Sequence, residues 1–426
     1  MKILHMISGD LNGGAAKGAY WLHQGLLKKG IESRVLTNAN ETMGDPTVSS
    51  LNTTSWQRFR NGLIHQIDKS VLGLYPHREK QIFSNGLTGI DFLSHPAYKW
   101  ADIVHLHWVN GGLLNVGDLA KIEKPVVWTL RDMWPMTGGC HYSLTCDRYN
   151  SGCGNCIQLK SNKRYDLSKI NFNRKKKYLP ENCTYVGISP WLAQTARESL
   201  LLKDKDVRMI FNNVSSADFF PVDKQLARHI LGITTSRKII LAGAQKITDP
   251  YKGFGKFLEA VSMLDRSKYD LLFFGRIDPE TASKTGFDHK NFGFVYDTIT
   301  LRLLYSAADV FVAPSLMDAF GKTLVESMAC GTPVVCFDAT GPRDIVDHLQ
   351  NGYRASAYDS GDLSNGIEWV AQANSDGSLS EAARKKAVQL FDTPLIAGQY
   401  HQLYTEILDR KSAHHRSLTN DLKQRN

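Results

Sequence analysis

Two carboxylates, Asp318 and Glu326, stand eight residues apart in the segment Ser315-Leu-Met-Asp-Ala-Phe-Gly-Lys-Thr-Leu-Val-Glu-Ser-Met-Ala-Cys-Gly331. The apolar stretch 309–315 precedes them, and a second one, 333–337, follows. This order reads as strand, tight loop, helix and strand, a parallel βαβ unit. The helix is predicted to start near Gly321. Its free N–H groups and positive dipole end then face the crevice at the carboxyl ends of the strands, where anions bind. Glu326, about one and a half turns in, can point into the same crevice and accept hydrogen bonds from vicinal hydroxyls. Amides for phosphate and carboxylates for hydroxyls describe a sugar-nucleotide site. A plainer reading stays open: a helix that begins with a capping acid, Asp318, and carries one ordinary surface Glu.

The segment resembles the Glu-x7-Glu signature of the retaining glycosyltransferases of family four, which have the GT-B fold. Their usual pattern is Pro-Ser-x-x-Glu-Gly-Phe-Gly-x-x-x-x-Glu-Ala-Met-Ala-x-Gly-x-Pro-Val. Pro314, Ser315, Phe320, Gly321, Glu326, Met328, Ala329, Gly331, Pro333 and Val334 match it. Asp318 replaces the first Glu, Ala319 the Gly and Ser327 the first Ala. The resemblance implies that Glu326 holds the nucleotide ribose. It implies that Asp318 and the amides of Ala319, Phe320, Gly321, Lys322 and Thr323 hold the donor sugar and phosphates.

Other constellations join this one. The first strand runs into Gly9-Asp-Leu-Asn-Gly13-Gly14 and then a helix. Glycine there lets the backbone approach a ligand closely, and a tight turn with close packing is the alternative. The loop is not Gly-x-Gly-x-x-Gly, so a dinucleotide reading is poor. In the resembled family the same loop lies under the donor pyrophosphate or beside the acceptor. In Ile103-Val-His105-Leu-His107 the two histidines share one face of a strand. The family's second His lies near the transferred sugar, which assigns that role to His107 and leaves His105 as structure. Asp132 and His141 can both reach the acceptor side, or they can belong to a polar loop that only packs. Their stretch resembles a subgroup that builds bacterial exopolysaccharide, capsule or O-antigen, with the pattern Thr-x-His-Asp-x-Trp-x-x-Thr-Gly-x-Cys. Arg131 stands where that His is usual, a change that bears on acceptor recognition. Lys252-Gly253 fits the family's Arg-x5-Lys-Gly, two cations on the donor phosphates. Lys246 stands in place of the Arg, so the charge is kept and the bidentate fork is lost. Phe274-Gly275-Arg276 and Phe294-Val295-Tyr296 end later strands and would sandwich the base. The expected catalytic set is His107, Asp132, Lys252, Asp318 and Glu326. No Asp-x-Asp motif appears in the required setting, so no catalytic metal is expected; cations and the helix dipole stand in its place.

The spacing Cys140-x5-Cys146-x6-Cys153-x2-Cys156 gathers four of the seven cysteines into loop 138–158. Four thiolates suit a tetrahedral structural zinc. Free or redox thiols and disulfides are the alternatives. In each case the loop is stapled beside the cleft and does no sugar chemistry.

At 426 residues the chain suits two or three domains. Its 42% hydrophobic and 22% charged content is ordinary for a globular protein. No stretch approaches the roughly 20 apolar residues of a membrane span. Met1–Ser8 reads as a first strand and not as a signal peptide, which implies a cytoplasmic protein. The net charge of +9 concentrates at Arg174–Lys177 and Arg410–Arg416. Such clusters attract phosphate or anionic lipid, so peripheral contact with the inner leaflet is expected; solvated helix faces are the alternative. No aromatic-interleaved basic repeat supports nucleic-acid binding.

Strand and helix patterns alternate throughout. Strands are predicted at 2–8, 34–38, 103–108, 126–130, 184–189 and 207–212. A second series falls at 238–243, 269–275, 291–294, 309–313 and 333–337. Helices are predicted at 15–29, within 55–73, and at 191–200, 253–265, 299–308, 321–330, 342–349, 361–374 and 380–391. Two such series give two Rossmann-like doubly wound domains facing a cleft: residues 1–212 on the acceptor side and 213–393 for the nucleotide sugar. A helix at 394–412 is expected to cross back to the first domain, followed by a polar basic tail, 413–426, expected to fray. The reading is a retaining transfer of a sugar from a nucleotide donor, a UDP-sugar, to a glycan or lipid-linked oligosaccharide. A sugar-nucleotide epimerase of the same fold and a non-catalytic carbohydrate- or membrane-binding scaffold are its rivals.

Overall fold

The computed structural model describes residues 1–424 apart from 12, 41, 248 and 278, and side chains up to residue 413 apart from 279. Short apolar runs become strands buried on both faces. Val126–Leu130 and Val334–Phe337 have no exposed residue, as expected of parallel strands covered on both sides. The first sheet holds β1 (Lys2–Ile7), β2 (Glu32–Thr37), β3 (Val48–Ser50), β4 (Ile103–Leu106), β5 (Val126–Leu130), β6 (Cys183–Gly187) and β7 (Asp206–Met209), in the order β3-β2-β1-β4-β5-β6-β7. The second holds β8 (Lys238–Lys246), β9 (Tyr269–Arg276), β10 (His289–Asn291), β11 (Val310–Ala313), β12 (Val334–Phe337) and β13 (Gly352–Ala355), in the order β10-β9-β8-β11-β12-β13. Every ladder in both sheets is parallel. Strand order reverses between β1 and β4 and between β8 and β11, and such switch points are where open sheets bind ligands.

Six helices position the site or its surroundings: α1 (Gly14–Lys28), α2 (Ser55–Ser70), α3 (Leu167–Tyr178), α4 (Thr298–Ala307), α5 (Lys322–Ala329) and α6 (Thr393–Gln424). The chain passes between the sheets twice, side by side. Val214 pairs with Asp392 in a parallel bridge, and the Val214 N–H donates to the Phe391 carbonyl at 2.8 Å. From there α6 returns to the first sheet. The Tyr404 hydroxyl meets His105 Nδ1 at 2.6 Å, and the Tyr400 hydroxyl meets Thr129 Oγ1 at 2.7 Å.

Five elements depart from expectation. The edge strands β3 and β13 were too short and polar to read. The helix predicted at 342–349 shrinks to Thr340–Arg343. The backbone of the tail stays helical to Gln424, beyond the expected end of the crossing helix. Helix α3, absent from the sequence reading, carries the first basic cluster and turns half of it inward. Lys175 is 1% exposed, and Arg174 donates to the Gly86 carbonyl and Asn115 Oδ1 at 3.1 and 3.0 Å. That cluster is therefore no free basic patch. In the second cluster Arg410 pairs with Asp206 at 3.3 Å; the side chains of His414, His415 and Arg416 lie outside the described residues. Among the described residues no helix is long and apolar enough to cross a membrane.

Candidate active site

The loop after β11 is built around one carbonyl. Tyr251 O accepts from the N–H groups of Leu316 and Met317 at 2.8 and 3.3 Å. Gly253 follows at φ 68°, where a Cβ would sit 1.9 Å from the Pro314 carbonyl oxygen. Only glycine fits, so Lys252-Gly253 is pinned against this loop. Lys252 Nζ reaches Asp318 Oδ2 at 2.7 Å. The other carboxylate oxygen accepts from the amides of Phe320 and Gly321, both at 3.2 Å. Asp318 is thus a capping acid paired to Lys252. It takes up two amides that the resemblance assigned to the donor. The first N–H groups of α5, at Lys322 and Thr323, have no acceptor within the helix. They are the amides that remain for an anion. Phe320 is 2% exposed and packs at the domain junction against Phe211 and Phe391, while the Ala319 carbonyl accepts from Ser189 Oγ at 2.8 Å.

Glu326 is 2% exposed. Its Oε2 accepts from the Tyr305 hydroxyl at 3.1 Å, and its Oε1 pairs with Lys322 at 3.2 Å. A carboxylate offers about four lone-pair sites, so each oxygen can take one more donor. Glu326 lines a cavity with Lys17, Phe274, Phe294, Tyr296 and Lys322. The Tyr296 ring lies 4.4 Å from that of Phe294, an aromatic wall suited to a base. A second cavity, of about 420 Å³, shares Gly14, Ala244, Gln245, Lys322 and Thr323 with the first and adds Arg131, Tyr142, Lys246, Lys252 and Asp318. Together they are lined by six cations (Lys17, Arg131, Lys246, Lys252, Arg276, Lys322) and three carboxylates (Asp249, Asp318, Glu326). That excess suits a dianion.

On the facing wall Gly13 and Gly14 open α1. A Cβ on Gly14 would have no neighbour within 4 Å, and one on Gly13 would approach only Asp10 Oδ1, at 3.9 Å. Internal packing therefore does not demand glycine at either position. Gly14 lines both cavities, and Gly13 lines neither. Lys17, one turn on, crosses the cleft to Thr298 Oγ1 at 3.3 Å. Burial, and then the charge of Lys322, lowers its pKa. The sequence reading missed Lys17, although a cation in the first turn after a Gly-rich loop was a readable signal.

The histidine expected near the sugar is not at the cleft surface. His107 is 2% exposed. Its Nε2 meets His5 Nδ1 at 2.9 Å, and its Nδ1 accepts from Arg131 at 3.3 Å. Burial, with His105 and Arg131 nearby, keeps its pKa well below the usual value. The group that reaches the cleft is Arg131. Burial lowers it to about 10, so it stays charged at neutral pH. It is held by Asn212 and His107, and among the described residues it forms no ion pair. Asp132 and His141 are likewise buried and joined at 2.6 Å. Asp132 Oδ1 accepts from Trp134 N at 2.8 Å, and His141 Nε2 meets Ser84 Oγ at 2.8 Å. Neither lines the two cavities. In front of them stands Tyr142, another residue the sequence reading missed, with its ring 4.8 Å from that of Tyr251. The four clustered cysteines line a separate small cavity behind this wall.

His5, His105 and His107 have ligand atoms within 4.8 Å of one another. Yet both nitrogens of His105 are taken, by Tyr404 and Thr129, and the Arg131 guanidinium touches His107. A second cation is unfavourable there. The trio is a buried hydrogen-bonded block.

Residues 223–387 match the family model of the glycosyl transferases, group 1. That stretch spans the second sheet and its covering helices. WcaC of Escherichia coli K12, named as a colanic acid biosynthesis glycosyl transferase, is 23% identical over 357 residues, 81% of this chain and 85% of WcaC. Among solved structures, sucrose-phosphate synthase from Thermosynechococcus elongatus superposes with TM-score 0.70 at 19% identity, over 96% of this chain and 100% of that one. HepE of Anabaena, solved in complex with UDP-glucose, superposes with TM-score 0.63 at 16% identity, over 95% and 100%. The architecture of two Rossmann-like domains is GT-B.

Proposed function

We propose that this chain is a glycosyltransferase. It moves a sugar from a nucleoside diphosphate donor, of the UDP-sugar class, to a hydroxyl of a growing glycan, with retention of configuration. The observation that carries the reading is the pair of joined cavities. Glu326 there keeps two acceptor positions beside an aromatic wall, and six cations line the two cavities. The base stacks at Phe294 and Tyr296, the ribose diol donates to Glu326, and the diphosphate meets the amides of Lys322 and Thr323 with Lys17 and Lys252. In the transfer the bond from the anomeric carbon to the diphosphate oxygen breaks, and the acceptor oxygen bonds to the same face. The acceptor proton passes to the departing phosphate, whose growing charge the cations stabilise. The likeness to WcaC supports a surface-polysaccharide acceptor.

Helix α2 supports a lipid-linked acceptor held at a membrane. It is turned inside out. Polar Asn61 and Asp68 face the protein, while Trp56, Phe59, Leu63 and Ile67 are 67%, 65%, 52% and 48% exposed. Their spacing of three, four and four residues makes one stripe, and Arg58, Arg60 and Lys69 flank it exposed. A Trp/Phe/Leu stripe with basic flanks suits the interface of an anionic bilayer. Past the helix the chain reaches Ile82, which lines the cleft.

Thermal-shift titration tests the donor reading. A UDP-sugar at about a hundred times its dissociation constant adds about 2.7 kcal/mol of stability. No shift with any nucleotide sugar refutes it. Turnover of the donor to a changed sugar with no acceptor present replaces it with epimerisation.

A further inference from the structure

Cys140, Cys146, Cys153 and Cys156 come from three successive turns, yet all four line one cavity of about 20 Å³. That is room for a single occupant of water size or smaller. The backbone around it is tied at each cysteine. Cys140 bridges to Phe83. Cys146 N–H donates to the Ser143 carbonyl at 3.0 Å, Cys153 N–H to the Arg148 carbonyl at 2.8 Å, and Cys156 N–H to Asp166 Oδ2 at 2.7 Å. Gly152, Cys153, Gly154 and Asn155 all have positive φ, at 104°, 54°, 98° and 47°. Two of these are not glycine, so the turn holds an unfavourable conformation that brings Cys153 and Cys156 to the same cavity.

A second observation is the charge beside it. Lys175 is 1% exposed. It donates to the carbonyls of Thr137, at 3.0 Å, and Trp134, and among the described residues it has no carboxylate partner. Its Nζ also lies 3.6 Å from the centroid of the Trp134 ring, so the amine is held in the wall that carries Cys140.

We propose that Cys140, Cys146, Cys153 and Cys156 hold one structural zinc ion as thiolates. The four thiols give up their protons on binding, and the resulting site is a dication with four monoanions. Among the described residues only His5, His105 and His107 bring three ligand atoms within 4.8 Å of one another. The sulfurs therefore stand wider than the about 3.8 Å of a filled tetrahedral site, and binding requires the cysteine side chains to turn inward. The ion fixes the wall that carries Tyr142 to the cleft. This assignment is independent of the sugar-transfer reading.

Full-length protein purified without added metal is expected to contain about one zinc per chain by elemental analysis. Replacing the zinc with cobalt(II) should give the visible bands of a tetrahedral site and near-ultraviolet sulfur-to-cobalt charge transfer. Cys146→Ser and Cys156→Ser should lower zinc content and melting temperature. Metal-free protein with four thiols free to alkylation, or with these cysteines in disulfides by mass spectrometry, overturns the proposal. So does a cobalt spectrum without sulfur bands, which moves the metal to the histidines; this arm needs only wild-type protein.

Discussion

Glu326 uses two of its acceptor positions on Tyr305 and Lys322, and the remaining two are those a ribose diol would take. Glu326→Ala is therefore expected to cost at least about tenfold in transfer, about 1.4 kcal/mol. Lys252→Ala should cost as much, because on the proposed reading it removes a cation from the donor phosphates, and it leaves Asp318 without its partner at 2.7 Å. Wild-type activity and donor affinity in both folded variants would remove these residues from the site. Gly14 separates packing from binding more sharply. It lies in the first turn of α1, and a Cβ there has no neighbour within 4 Å. Gly14→Ala should keep or raise the melting temperature, since alanine favours a helix by up to about 1 kcal/mol, while donor affinity falls. Unchanged affinity by isothermal titration would show that no ligand approaches this backbone.

Helix α2 is where the element scale decides. Its four exposed apolar residues contribute nothing visible to the core, so Trp56→Ser with Phe59→Ser should leave stability within about 0.5 kcal/mol per site. The same double variant should lose binding to vesicles containing anionic lipid in a flotation assay. Wild-type binding should weaken with salt, because lysines and arginines near such a surface contribute about 1 kcal/mol each. Wild-type protein that ignores anionic vesicles at low salt would make the stripe a surface for another protein. Helix α3 teaches the opposite lesson. A run of cations that reads as surface is half interior, because Lys175 and Arg174 answer backbone carbonyls.

At the scale of the molecule, the buried histidines of the first domain include His5, His23, His105 and His107. Burial is the largest cause that lowers each of them, His23 to about 4. The unfolded chain takes up protons near the ordinary histidine value, about 6.5, where the folded chain does not. Stability is thus complete above about pH 6.5 and is lost as pH falls towards the folded values. For His23 alone the span of about 2.5 pH units corresponds to about 3 kcal/mol at about 1.4 kcal/mol per unit. Melting temperatures at pH 7, 5.5 and 4.5 should drop steeply, with uptake of protons on unfolding. A flat profile would show that these rings are not held neutral.

The alternation of apolar runs and amphipathic stretches determined the two parallel sheets, since pattern period and turn residues act within a few neighbours. The spacing of Asp318, Gly321 and Glu326 likewise placed a helix start beside two carboxylates. Periodicity says which residues share a face, but not what covers that face. His105 and His107 share a strand face as read. Only α6, whose Tyr404 lies 299 residues beyond His105, shows that the face is interior and that Arg131 stands at the cleft in place of His107. Asp318 pairs with Lys252, 66 residues away, and so became a cap for the loop. Gly14 gained meaning from emptiness around its Cβ, and α2 from what does not pack on it. Each of these depends on contacts far apart in the chain, which no local pattern encodes.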